Sequence, residues 1–175
     1  VLSAAEVLEP ATAEPITRDQ VKTFLRIDGD ALDAELDLML AAAVEELELL
    51  TALRLMDQVV RLRATSFADL EHLTIGPVRE LVAIGAKLPG GEFVPLDLAD
   101  YELTGADLHR GIAPIAGRVA FSSIPTVVDV RVGYGGTAQD VPASLRLALL
   151  TMVRGRYDDR PVDVERLIAN YRLNA

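Results

Sequence analysis

The chain has 175 residues, half of them hydrophobic and a quarter charged, with a formal net charge of −10, no cysteine, no tryptophan and two histidines. That length fits one domain, at most with a subdomain, and apolar content this high with a positive mean hydropathy excludes global disorder. The lack of cysteine excludes disulfides and thiolate chemistry, and His72 and His109 alone cannot make a multi-histidine zinc site.

No uninterrupted apolar stretch reaches the roughly 18 to 20 residues of a membrane span, because acidic residues break every leucine run. Val1 to Pro15 lacks a basic n-region, so no signal peptide is expected, and the expected location is the bacterial cytoplasm or a particle assembled there. Charge is uneven: residues 1 to 57 carry 13 acidic and 4 basic side chains, residues 58 to 175 carry 14 and 13. An acidic third repels phosphate and argues against nucleic-acid binding through a basic patch. A solvated acidic helix face is the plainer account of it.

In chain order, Val1 to Pro15 has two prolines and no helical phase, and is expected to be an extended arm that needs a partner to be ordered. Thr17 with Gln20 three residues later is a capping-box signal, and Val21, Phe24 and Leu25 follow at helical spacing, so a short helix is predicted from about 18 to 26. Ile27 to Asp30 is a turn, with Asp30 expected to cap the next helix. From Ala31 to about Leu53, Leu32, Leu36, Met39 or Leu40, Ala43, Leu47 and Leu50 form a stripe of the longest helix. Leu38, Leu49 and Leu53 lie off that stripe and form a second apolar face, a candidate lateral contact between subunits.

Between about 57 and 134 the period shifts towards 2, with Val59, Val60 and Leu62, then Val82 to Ile84, then Val128, Val130 and Val132 as strand-like runs. Lys87 to Glu92 is a turn between two such runs. A glycine-rich loop, Gly133 to Asp140, leads to Pro142 and a helix ending near Tyr157, and a short helix is predicted from Val162 to about Asn170. The predicted architecture is α+β, mainly α: a helical bundle of short, long and C-terminal helices with a β-rich insertion in its middle. The predicted divisions are an arm over 1–15 and one domain over 16–175, with the insertion at about 57–134.

Few motifs carry chemistry. Gly133-Tyr134-Gly135-Gly136-Thr137-Ala138 matches G-x-G-x-x-A in form, but Pro142 delays the helix and no βαβ alternation surrounds it, so a joint between sheet and helix is the better account. Asp28-Gly29-Asp30 has its glycine at the wrong place for an EF-hand. Neither histidine belongs to a triad motif, both are expected in polar loops, and no single acid–base pair can be chosen among 27 carboxylates.

The ordered series of segments resembles the head–tail connector (adaptor) proteins of tailed phages, a family also found in phage-like gene transfer agents. The resemblance rests on Ile16-Thr17 through Phe24-Leu25-Arg26-Ile27-Asp28-Gly29-Asp30, on Ile75-Gly76-Pro77-Val78 and on Asp100-Tyr101-Glu102-Leu103. It continues through Val130-Arg131-Val132-Gly133-Tyr134-Gly135-Gly136, Val141-Pro142 and Arg156-Tyr157-Asp158-Asp159-Arg160, and spans about residues 16 to 173. Val132 departs from the aromatic often found before the glycine loop, and Val1 to Pro15 extends beyond the usual start.

The resemblance implies a structural virion protein, not an enzyme and without a cofactor. It implies a ring, expected to be dodecameric, seated under the portal protein at the capsid–tail junction and joined to a stopper or tail-completion protein. DNA would pass through its channel as non-specific cargo, and the acidic N-terminal third would suit a channel wall. The portal-docking segment, about 162–175, is implied at the C-terminus, with Arg166, Leu167, Ile168, Tyr171, Arg172, Leu173, Asn174 and Ala175 as contacts. Leu88, Pro89, Gly90, Gly91, Glu92 and Phe93 are the loop candidates for a tail-side or neighbouring subunit. The competing classes are a generic soluble oligomerisation module and a carboxylate-dependent enzyme.

Overall fold

A computed structural model of the chain describes residues 1–88, 90–116 and 124–173. The chain divides into two units, one of residues 1–11, 57–133 and 173–175, the other of residues 12–56 and 134–172.

The first unit is built on β1 (Glu6–Glu9), β2 (Gln58–Ala64), β3 (Val78–Lys87), β4 (Phe93–Pro95) and β7 (Thr126–Val132), an antiparallel sheet in the order β1-β2-β7-β3-β4. A second hairpin joins β5 (Tyr101–Ala106) to β6 (His109–Pro114). Alternation decides the two faces of the central strand. Val128, Val130 and Val132 of β7 are fully buried and pack with Val60, Leu62, Ile84 and Ile112, while Val127, Asp129 and Arg131 point to the other face. A 3-10 turn at Phe67–Glu71 closes the apolar side, where the Phe67 and Tyr101 rings lie 5.5 Å apart.

The other face carries cross-strand ion pairs. Arg61 and Asp129 are register partners, joined by Nε to Oδ1 at 2.7 Å and Nη2 to Oδ2 at 2.8 Å. Arg131 meets its register partner Glu80 at 3.2 Å and Asp57 at 3.6 Å, and Arg63 meets Glu6 at 2.7 Å. The arm expected to need a partner finds it in the same chain. Its residues 6 to 9 pair with β2, and Ser3 N–H donates to the Arg63 carbonyl at 2.8 Å.

The second unit holds α1 (Arg18–Leu25), α2 (Asp33–Thr51), α3 (Ala143–Tyr157) and the one-turn α4 (Glu165–Ile168). The capping box of α1 forms: Gln20 N–H donates to Thr17 Oγ1 at 3.3 Å, and Thr17 N–H donates to Gln20 Oε1 at 2.9 Å. Asp30 does not cap α2. Leu32 is the N-cap residue, and Asp30 offers its carbonyl to the Asp33 N–H at 3.2 Å instead of its side chain. Leu36, Leu40, Ala43 and Leu47 of α2 and Leu145, Ala148, Leu149, Met152 and Val153 of α3 are buried, so the helices meet along these stripes. Lys22 and Arg18 of α1 both pair with Asp33, and together they hold its carboxyl below the usual carboxylate range.

The expectation of a mainly α helical bundle with a β insertion is corrected. A five-stranded antiparallel sheet and a separate hairpin form a unit of their own, and the described residues contain four α-helices, α1 of 8 residues and α4 of 4. The runs at Val59 to Leu62, Val82 to Ile84 and Val128 to Val132 do lie in β2, β3 and β7, but their nonlocal pairing, which local spacing does not record, makes them the frame of a unit rather than an insertion in a bundle.

Candidate functional site

Among the described residues, exposed faces and the side chains that shape them are the features that bear on function. Leu38 and Leu49 of α2 are 72% and 82% exposed. They are eleven residues apart, about three helical turns, and therefore share one stripe, opposite the buried Leu36, Leu40 and Leu47. Glu35 and Glu45 flank that stripe, exposed and without an ion pair among the described residues. Leu53 does not join it. Ala52 ends α2 in the left-handed region at φ 57°, and this turn directs Leu53 inward, where it is fully buried. Of the second apolar face expected from the sequence, Leu38 and Leu49 are exposed and Leu53 is not.

Glu48 braces the same turn. Its Oε1 accepts the Leu55 N–H at 2.9 Å and its Oε2 pairs with Arg54 at 3.2 Å. Burial raises its carboxyl above the usual carboxylate range, against the opposing pull of Leu55 N–H and Arg54. The folded protein therefore holds a proton here more tightly than the unfolded chain does. This site's contribution to stability is lowest when Glu48 is ionised, and grows as pH falls through the raised value towards the ordinary carboxylate range. Glu48→Gln is expected to remove that slope. Denaturant unfolding of both proteins from neutral pH to about pH 4.5 checks it; a difference between them that stays constant with pH contradicts the assignment.

In the C-terminal segment, Arg166 is exposed and makes no ion pair among the described residues, while Leu167, Tyr171, Arg172 and Leu173 are half-buried. Arg172 reaches back to Glu165 at 2.7 Å. Ile168 is fully buried and Val164 is buried nearby, so Ile168 anchors the segment inside its own unit and offers no surface for docking. Asn174 and Ala175 lie outside the described residues.

The loop between β3 and β4 is closed by Leu88 N–H to the Glu92 carbonyl and Gly91 N–H to the Leu88 carbonyl, both 2.8 Å. Leu88 is half-buried, Gly90, Gly91 and Glu92 are exposed, and Phe93 packs over Gly85 while staying 51% exposed. Pro89 lies outside the described residues. His72 follows the Phe67–Glu71 turn and is exposed; His109, expected in a loop, instead begins strand β6, also exposed.

Two open clefts lie in the helical unit. One of about 420 Å³ runs along the end of α3 between Glu46, Met152, Arg156, Arg160 and Val162, and its Glu46 and Arg156 pair with each other. The other, about 380 Å³, lies between α1 and α3, lined by Asp19, Gln20, Thr23, Phe24 and Leu150. Sequence reasoning missed this second cleft, because its residues come from segments more than 120 positions apart and each half has an ordinary helical pattern. Among the described residues no group of three or more His, Asp or Glu is arranged to hold a metal ion, and no helix is long and apolar enough to cross a membrane. The glycine loop is followed by a 3-10 turn at Ala138–Asp140 before α3 begins at Ala143, so no helix N-terminus meets it as a dinucleotide site requires.

Solved particle structures contain chains of the same fold. A chain in the neck of an empty gene transfer agent (GTA) particle computed with C6 symmetry superposes with a TM-score of 0.82 at 20% identity, over 99% of this chain and 97% of that one. A chain in the virion of a native GTA particle gives 0.82 at 21% identity, over 99% and 97%. A chain in the neck of a native GTA particle computed with C12 symmetry gives 0.70 at 22%, over 97% and 96%. No protein-family model and no curated protein matches the chain.

Proposed function

We propose that this chain is a structural component of the neck of a phage-like particle, a head–tail connector that assembles as a ring between portal and tail. The observation that carries the reading is the full-length likeness in fold to chains of GTA necks and virions, end to end over both chains. One surface feature supports it: the exposed apolar stripe of Leu38 and Leu49 suits contact with a like subunit.

In this reading the C-terminal segment meets the portal protein through Arg166, Leu167, Tyr171, Arg172 and Leu173, with Ile168 as its internal anchor. The exposed loop from Gly90 to Phe93 faces a stopper or a neighbouring subunit, and the acidic N-terminal third keeps DNA from adhering to the channel. Twelve copies match the symmetry of one neck neighbour.

Arg166→Glu tests the docking end. It removes an exposed cation that has no partner in its own subunit, so subunit melting is expected to stay unchanged while affinity for portal-bearing capsids falls about ten-fold. Co-sedimentation with portal-bearing and portal-free capsids reads this out. Equal binding of wild type to both capsids would contradict the connector reading.

A further inference from the structure

We propose that the Asp28–Gly29 link is a modification site, where the folded chain converts Asp28 to isoaspartate without an enzyme. The chemistry belongs to the chain itself and does not depend on what the chain assembles with. Asp28 is the one aspartate in the sequence that is followed by glycine, and neither asparagine, Asn170 or Asn174, is. Glycine matters at that place because the attacking atom is the backbone nitrogen of the next residue, and a side chain on that residue crowds the approach.

The link lies between α1 and α2, and both reacting groups are free there. Ile27 N–H donates to the Lys22 carbonyl at 3.0 Å at the end of α1, and Asp33 N–H donates to the Asp30 carbonyl at 3.2 Å at the start of α2. Between these two bonds, neither the Asp28 carboxyl nor the Gly29 N–H has a hydrogen bond or ion pair among the described residues. Both residues are exposed. Gly29 has φ 80°, and a Cβ there would meet nothing within 4 Å, so the space beside it is open. Rotation of Asp28 towards the Gly29 nitrogen therefore breaks no hydrogen bond of the link. Other aspartates in turns are placed differently. Asp97 accepts the Ala99 N–H at 3.0 Å, Asp140 accepts the Thr137 N–H at 2.9 Å, and Asp107, in the turn between β5 and β6, precedes Leu108.

The reaction needs only the chain and water. The Gly29 nitrogen attacks Cγ of the neutral Asp28 carboxyl. A Cγ–N bond forms, the Cγ–OH bond breaks, and the hydroxyl leaves as water with the proton of the nitrogen. The product is a five-membered succinimide. Water then adds at one of its two carbonyls. Addition at Cγ restores Asp28, whereas addition at the main-chain carbon breaks its bond to the Gly29 nitrogen and leaves the chain running through Cγ, one backbone atom longer. Nothing is oxidised or reduced. Arg18 and Lys22 on one side of the link both grip Asp33 on the other, so the converted chain keeps α1 against α2.

The test holds the full chain warm at neutral pH for several weeks, folded or in denaturing guanidinium, and samples it over time. Isoaspartate is counted by methyl transfer from S-adenosylmethionine with an isoaspartyl methyltransferase, and located by electron-transfer fragmentation of the peptides. Conversion is expected to concentrate at Asp28, and to run in the folded chain within about three-fold of the denatured rate, because a link without hydrogen bonds opens at almost no cost. Asp28→Glu keeps the charge and the glycine but would need a six-membered ring. It is expected to lower the signal about ten-fold or more while melting stays unchanged. A folded chain that falls below the expected rate overturns the proposal, because the fold then protects the link. Equal conversion at another aspartate, or an undiminished signal from Asp28→Glu, overturns it as well.

Discussion

Leu49→Asp is expected to abolish self-association while leaving the free subunit as stable as before. Leu49 is 82% exposed and its removal from the surface opens no cavity, so the change in folding free energy should stay within about 0.5 kcal/mol, a melting shift of roughly 1 to 2 °C at this chain length. In the ring proposed above the same position would lie under a neighbouring subunit, and a carboxylate buried there without a partner costs several kcal/mol. A penalty of about 3 kcal/mol per contact already weakens association more than a hundred-fold, and every contact of the ring carries it. Leu53→Asp is the matched control. Leu53 is fully buried within its own unit, so this change should unfold the subunit rather than free it. Sedimentation velocity with thermal melts on both variants separates the cases; Leu49→Asp rings that persist would show that the α2 stripe is ordinary surface.

Gly111→Ala is expected to destabilise the β unit strongly. A Cβ at Gly111 would collide with the Glu71 carbonyl, which is backbone and cannot swing aside. The approach is held by the neighbouring bond from Leu73 N–H to the Arg110 carbonyl at 2.9 Å, which ties β6 to the segment after the Phe67–Glu71 turn. Ile112, next in the strand, is fully buried, so β6 cannot retreat without exposing it. Overpacking of this kind costs about 3 kcal/mol, and the melting temperature should fall by roughly 6 to 12 °C. Gly136→Ala serves as the comparison, because a Cβ there meets nothing within 4 Å. Equal melting of the two variants would contradict the packing of β6 on residues 71 to 73.

What the sequence disclosed follows the range of the interactions involved. The capping box of Thr17 and Gln20 and the stripe of Leu36, Leu40 and Leu47 are local, so spacing alone located α1 and α2. The hairpin turn from Leu88 to Glu92 was legible for the same reason. The sheet was not. β2 pairs with β7 across more than 60 residues, and no local pattern records that Arg61 will face Asp129. Strand β1 is four residues long with every side chain exposed, so it has no alternation to detect; its edge position is what makes it a strand.

The candidate surfaces divide in the same way. Leu38 and Leu49 were found because a straight helix keeps its phase over three turns. Leu53 was misassigned because that phase was carried past Thr51, where Ala52 turns the chain. Ile168 was drawn into the docking segment by its neighbours, yet it is the residue that fastens the segment down. The α1–α3 cleft depends on a tertiary meeting of Phe24 with Leu150 and Arg154, which neither helix announces alone.

The connector proposed above sits at the portal vertex of a phage-like particle. Cryo-electron microscopy of portal-bearing capsids incubated with the protein tests it most directly. A ring of added density is expected beneath the portal, with the segment after Val164 against the portal protein and α2 of each copy against its neighbour. Capsids without added density at the portal vertex, at saturating protein, would contradict it.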